Sequence, residues 1–172
     1  MSLLRPGDTF PALTLSVPGG DRLQLPDAFD GHFGVVLFYR GSWCPYCNAQ
    51  LRAFQLAKHP LASAGARVVA LSVDDEATTS DVIAKHGLEF PVGYGAEARV
   101  LAEATGAFVN EDPLYLQSTG FVLNPGGQAV VSVYSSGATG RLVPGDVTGL
   151  IGYLRAHATS TGPPGSCAVR GL

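Results

Sequence analysis

Val35-Val36-Leu37-Phe38-Tyr39-Arg40-Gly41-Ser42-Trp43-Cys44-Pro45-Tyr46-Cys47 joins an apolar run to two cysteines three positions apart. Gly34 to Tyr39 is nearly continuous in apolar residues, the pattern of a strand buried on both faces. From Cys44 onward the period changes. Cys44, Cys47, Leu51 and Phe54 fall at steps of three or four, along one stripe of a helix. A strand that runs into a helix carrying two thiols in its first turn predicts an α/β domain with a dithiol at the junction. The stripe also separates the two sulfurs. Cys47 is expected to point with the core residues, and Cys44 to sit exposed at the helix start.

The chemistry follows from that placement. A free thiol has a pKa of about 8.5, so little of it is thiolate near neutrality. The first turn of a helix aims free amides and the positive end of the dipole at Cys44, which favours its thiolate. Cys44 is then the nucleophile toward a disulfide, and Cys47, one turn deeper, resolves the mixed disulfide. Pro45 suits the first helical turn, where its missing amide hydrogen costs little. Trp43 reads equally as a docking surface beside the sulfur or as a core aromatic at the strand end. Arg40 either adds positive potential near the thiols or is simply solvated.

A zinc site would need a second ligand pair. No other Cys-x-x-Cys occurs, and His32, His59, His86 and His157 stand without ligand spacing. No nucleotide-binding glycine loop is present, so neither a metal nor a cofactor is expected. Cys167 reads as an unpaired thiol on a C-terminal tail, with an extra resolving thiol as the alternative.

Elsewhere, Leu13 to Val17 and Leu23 to Leu25, around Pro18-Gly19-Gly20, predict an N-terminal hairpin. Arg67 to Val73 is a second buried strand. Asp74-Asp75-Glu76 then opens a helix that Lys85-His86-Gly87 closes, acids at one end and cations with a glycine at the other. Phe90-Pro91-Val92 begins another strand-like piece, and Glu97 to Thr105 is helical up to Gly106. Gly120 to Leu123 and Ala129 to Tyr134, around Asn124-Pro125-Gly126-Gly127, predict a second hairpin. Val147, Leu150, Ile151 and Leu154 mark a last amphipathic helix. The expected organisation is one domain over residues 1–157 and a polar tail over 158–172, the domain being a mixed sheet flanked by helices.

With 46% hydrophobic and 15% charged residues the 172-residue chain reads as globular. A net charge of -3 without a basic cluster argues against nucleic acid and anionic membrane as partners. The opening residues carry no basic segment followed by an apolar signal core. Three cysteines do not make a disulfide scaffold, and a cytoplasmic location is expected.

VVLFYRGSWCPYCNAQL (residues 35–51) resembles the active-site strand and helix of the thioredoxin superfamily. VVALSVDDEATTSDVIAKHGLEFPV (68–92), PGDTFPALTL (6–15) and GFVLNPGGQAV (120–130) resemble its peroxiredoxin branch, the alkyl hydroperoxide reductase/thiol-specific antioxidant family. The resemblance implies a thioredoxin-like fold with an N-terminal β-hairpin extension of peroxiredoxin type. In the family's Pro-x-x-x-Thr/Ser-x-x-Cys pattern, Cys47 takes the position of the peroxide-reducing cysteine. Arg40 replaces the proline and Cys44 the threonine. Where the family has an arginine before the strand near Gly120, and thioredoxins a cis-proline, Gln117-Ser118-Thr119 stands. Peroxiredoxin relatives often form dimers, so a homodimer is an open expectation.

Three functions follow. The leading one is a dithiol oxidoreductase that reduces protein or small-molecule disulfides through Cys44 and Cys47. The alternative is a thiol-dependent peroxidase, with Cys47 or Cys44 oxidised by peroxide. The third is a redox-sensing binding module without turnover. For the two enzymes the partners are a disulfide or peroxide substrate and a thiol electron donor of thioredoxin or glutaredoxin type.

Overall fold

The computed structural model describes residues 2–158. The tail expected from residue 158, Cys167 included, lies outside the described residues apart from Ala158. Strands β1 (Leu13–Ser16) and β2 (Arg22–Leu25) form the expected N-terminal hairpin, with Leu13 opposite Leu25. Strand β3 (Phe33–Phe38) leads to helices α1 (Pro45–Leu56) and α2 (Lys58–Ala64). Next come β4 (Ala66–Leu71), α3 (Glu76–His86), the short β5 (Val92–Gly93) and α4 (Ala98–Thr105). A small hairpin, β6 (Val109–Glu111) and β7 (Leu114–Leu116), precedes β8 (Thr119–Leu123), β9 (Ala129–Tyr134) and α5 (Pro144–His157).

The central sheet has the order β5-β4-β3-β8-β9. β3 pairs parallel with β4 and antiparallel with β8, so the sheet is mixed, as expected. Parallel neighbours require a crossover, and here α1 with α2 and then α3 supply the two connections. All six residues of β3 are buried because both faces of this middle strand are covered. Val35, Leu37 and Tyr39 pack on one side with Leu51 and Phe54 of α1 and Val147 and Ile151 of α5. Val36 and Phe38 face the other way, toward Phe10, Leu15, Leu101 and Phe121. Phe121 stands edge-on to Phe10, Phe38 and Tyr134, with ring centroids 5.2, 5.5 and 5.7 Å away.

The predicted caps are present. Asp75 accepts the Thr78 amide at 2.8 Å and starts α3, while Gly87, in the left-handed region at φ 60°, ends it. The β8–β9 turn is built on Asn124, whose Oδ1 accepts the amides of Gly126 and Gln128. The segment before β1 straps this turn to the rest of the molecule: Phe10 donates to the Gly127 carbonyl, and Gly7 to that of Ala129.

Candidate active site

The dithiol sits where β3 leaves the middle of the sheet. Beyond Phe38 the chain passes through Tyr39 and Arg40 into the turn Gly41-Ser42-Trp43, and the Cys44 amide donates back to the Gly41 carbonyl at 3.1 Å. Gly41 has φ 153°, and a Cβ there would meet the Trp43 indole nitrogen at 2.4 Å, so glycine lets the indole lie against the turn. The turn is clamped on both sides. Asp74 accepts the Ser42 amide at 2.8 Å, and Asn48 Nδ2 donates to the Ser42 carbonyl at 2.9 Å. Asn48 Oδ1 is in turn 3.2 Å from His86 Nε2. That ring is held below the usual histidine pKa by its partial burial and by the nearby charges of Lys85 and Arg52.

Cys44 is the N-cap of α1, in extended backbone conformation, with Pro45 at the first helical position. Its sulfur accepts the Cys47 amide at 3.3 Å, and the two sulfurs are 2.7 Å apart as free thiols. One expectation is overturned here. Cys44 is as buried as Cys47, each with 0% of its surface exposed, although its neighbours Trp43 and Tyr46 are 55% and 53% exposed. Capping explains it: to accept the Cys47 amide, the Cys44 sulfur turns back over the helix end and away from water.

Two arginines attend the pair. Arg40, half-buried, donates its backbone amide to Cys47 Sγ at 3.4 Å and its guanidinium to the Tyr115 hydroxyl at 2.9 Å. The guanidinium also lies over the rings of Trp43 and Tyr115, at 4.9 and 5.2 Å. Of the two readings of Arg40, the one near the thiols is therefore right. Arg141 comes from the β9–α5 connection. Its Nη2 is 3.2 Å from Cys47 Sγ and 3.7 Å from Cys44 Sγ, and its guanidinium carbon lies 5.8 Å from the Tyr46 ring centroid. Gln50 of α1 anchors this connection by donating to the Leu142 carbonyl at 3.0 Å.

The electrostatics divide the two sulfurs. Burial opposes ionisation of Cys44, yet hydrogen bonds from the Cys47 thiol and amide, with the charges of Arg141 and Arg40, outweigh it. The Cys44 thiol is held below its ordinary value. Burial pushes Cys47 up, and its bond to Cys44 pushes the same way, against the Arg40 amide and Arg141. Of the two, Cys44 ionises more readily, and the Cys47 thiol donates to its sulfur at 2.7 Å. Below them, burial lifts the Tyr39 phenol to about 12, so it stays neutral.

Sequence reading found both sulfurs but not Arg141, Tyr115, Asp74 as a clamp, or Asn48. The place before β8 holds no arginine, as expected, and the guanidinium at the thiols arrives instead from Arg141. Among the described residues no group of three histidines, cysteines or acids is arranged to hold a metal, and no helix is long and apolar enough to cross a membrane.

Residues 6–131 match the profile of the AhpC/TSA family. The chain belongs to that family. This AhpC/TSA member is 31% identical over 160 residues to peroxiredoxin Bcp of Xanthomonas campestris, covering 89% of this chain and 94% of that one. Among solved structures, peroxiredoxin Q of Xanthomonas campestris superposes with a TM-score of 0.67 at 27% identity, over 91% and 97% of the two chains. A mutant of peroxiredoxin 6 from Arenicola marina superposes with a TM-score of 0.76 over 90% and 75% of the chains. At 21% identity it speaks for the fold alone. The thioredoxin-like fold is thus the observed one, and the AhpC/TSA chain is a thiol-based oxidoreductase.

Proposed function

We propose that this chain is a thiol-dependent peroxidase that cycles between a Cys44–Cys47 dithiol and its disulfide. The observation that carries the reading is the buried pair of sulfurs, 2.7 Å apart and 3.2 Å from Arg141 at Cys47, in a chain of the AhpC/TSA family. Its peroxiredoxin relatives support the peroxidase alternative better than the disulfide reductase expected from the Cys-x-x-Cys spacing alone.

The proposed chemistry assigns the first step to Cys44. Its thiolate attacks one peroxide oxygen, the O–O bond breaks, and the other oxygen leaves as alkoxide or hydroxide and takes up a proton. Cys44 is then a sulfenic acid. Cys47 loses its proton and attacks that sulfur; the S–S bond forms, the S–O bond breaks, and the oxygen leaves as water. An external thiol pair returns two electrons by thiol–disulfide exchange. The contribution of Arg141 is to hold negative charge at both sulfurs in a site shielded from water.

The test is single-turnover oxidation of the reduced protein by hydrogen peroxide and by an organic hydroperoxide. Trp43, next to Cys44 and the only tryptophan of the chain, serves as the fluorescent reporter. The expected rate is well above that of a free thiolate, and a rate no faster than that rejects the reading. Disulfide reduction remains a second reading because Trp43 and Tyr46 are exposed beside the dithiol, where a protein disulfide would dock.

A further inference from the structure

Arg40 and Arg141 bring two guanidinium groups to one dithiol, and among the described residues neither is ion-paired with a carboxylate. The Arg40 guanidinium meets the Tyr115 hydroxyl, the rings of Trp43 and Tyr115, and the field of Cys44. That of Arg141 meets the Ala138 carbonyl, the Tyr46 ring and the two sulfurs. Each also has a buried Nε with no hydrogen-bond partner. Asp74, the carboxylate that clamps the neighbouring turn, is engaged by the Ser42 amide. In the reduced protein, then, the groups that can set a negative charge against these cations are the two sulfurs, through ionisation of Cys44.

Oxidation removes that charge. A thiolate and a thiol become a disulfide, with loss of two electrons and one proton, and the product is neutral. The sulfurs are already 2.7 Å apart and need to close by only about 0.7 Å to reach a disulfide bond length. So small a movement leaves the arginines where they are, because Arg40 stays on Tyr115 and the Arg141 connection stays on Gln50. Two half-buried cations without a countercharge are costly, and an anion that enters beside them relieves that cost.

We propose that the disulfide form binds an anion between Arg40 and Arg141, and that the thiol which reopens it is an anionic one carrying a carboxylate beside its sulfur. The carboxylate meets the guanidinium groups while the thiolate attacks one sulfur of the Cys44–Cys47 bond. A mixed disulfide forms and the other cysteine leaves as thiolate. A second molecule of the reductant then attacks the mixed disulfide, which restores the dithiol and yields the reductant's own disulfide. The chain as a whole carries a net charge of -3, which repels anions, so any preference for an anionic thiol has to arise locally. This deepens the proposed thiol cycle but depends only on the Cys44–Cys47 disulfide and not on peroxide as its source.

The experiment starts from disulfide protein made with diamide, so that it succeeds or fails independently of the peroxidase reading. Reduction by mercaptopropionate, mercaptoethanol and cysteamine is followed by Trp43 fluorescence, with rates expressed per thiolate. These reductants differ in charge and also in thiol pKa, so each rate is divided by the same reductant's rate toward a neutral small-molecule disulfide, which removes the difference in intrinsic nucleophilicity. The expected order is mercaptopropionate fastest and cysteamine slowest, about tenfold apart at low salt and converging as salt screens the site. Replacing both arginines by glutamine (R40Q with R141Q) collapses the order, while R40K with R141K, which keeps the charge, retains it. Mercaptopropionate no faster than mercaptoethanol in the wild type overturns the proposal, as does the same order surviving in the glutamine pair. If peroxide fails to oxidise the protein but the diamide disulfide shows this order, the peroxidase reading falls and the anion site stands.

Discussion

Arg141 Nη2 lies 3.2 Å from Cys47 Sγ, across 94 residues of sequence, and 3.7 Å from Cys44 Sγ. The contact joins the β9–α5 connection to the first turn of α1 and sets a positive charge beside the two sulfurs. Arg141→Gln is expected to move the ionisation of Cys44 to higher pH and to slow single-turnover oxidation by about a hundredfold, the lower end of the range for loss of one preorganised donor. A pH titration of the ultraviolet thiolate absorbance reads the first effect and stopped-flow fluorescence the second. An unchanged titration in this variant would show that Arg141 does not act on the thiolate.

The pH dependence follows from Cys44. Its thiol is depressed in the folded protein, so oxidation is expected to accelerate with pH through that ionisation, with a midpoint below that of the same cysteine in the unfolded chain. The same shift links to stability. The folded state releases this proton more readily than the unfolded chain, so the contribution is complete above the unfolded thiol value. It is lost as pH falls through the folded one. Urea unfolding of the reduced protein should therefore lose more stability between mildly alkaline and acid pH than unfolding of Cys44→Ser.

The clamp on Ser42 predicts a positioning effect. Asn48→Ala removes the donor to the Ser42 carbonyl and the partner of His86. A loss of about 1–3 kcal/mol in urea unfolding is expected, the cost of leaving a part-buried carbonyl unpaired. Oxidation by peroxide should slow in the same variant, since the turn that carries Trp43 and Cys44 loses one of its two supports.

Phe121 tests the fold without touching the sulfurs. It sits among Phe10, Phe38 and Tyr134 on the face of the sheet away from α1, and it is fully buried. Phe121→Ala is expected to cost about 3–5 kcal/mol, as large-to-small core replacements of this size do. The thiolate titration of the folded variant should not move.

Much of this was legible in the chain because it was local. The apolar run that became β3, the stripe Cys47, Leu51 and Phe54, the cap at Asp75 and the turn at Asn124 each depend on a few adjacent residues. Boundaries shifted by a residue or two: the strand read as Arg67 to Val73 is Ala66–Leu71. Helix α2 and the β6–β7 hairpin went unread, since each is a short element with no long apolar period. The exposure of Cys44 was misread because periodicity gives the direction of a helical side chain, whereas an N-cap residue is not yet helical and turns its side chain back. Arg141 left no signal. It directly follows Ser135-Ser136-Gly137-Ala138-Thr139-Gly140, a stretch that reads only as a loop, and tertiary contact alone brings it to the sulfurs. Asp74 was read with the acids of the α3 start, but Asp75 does the capping and Asp74 reaches across to Ser42.

In the proposed peroxidase cycle Cys44, and not Cys47, meets the oxidant first. Alignment with the peroxiredoxin pattern gives that place to Cys47, whereas the electrostatics of the site give it to Cys44. Single-turnover peroxide oxidation of Cys47→Ser and Cys44→Ser, with the sulfenic acid trapped by dimedone and located by mass spectrometry, separates the two. Cys47→Ser keeps a hydroxyl donor toward Cys44, and it is expected to form the sulfenic acid on Cys44 at close to the wild-type rate, while Cys44→Ser reacts far more slowly. Rapid sulfenic acid formation on Cys47 in Cys44→Ser, with little on Cys44 in Cys47→Ser, would make Cys47 the first sulfur oxidised and overturn this order.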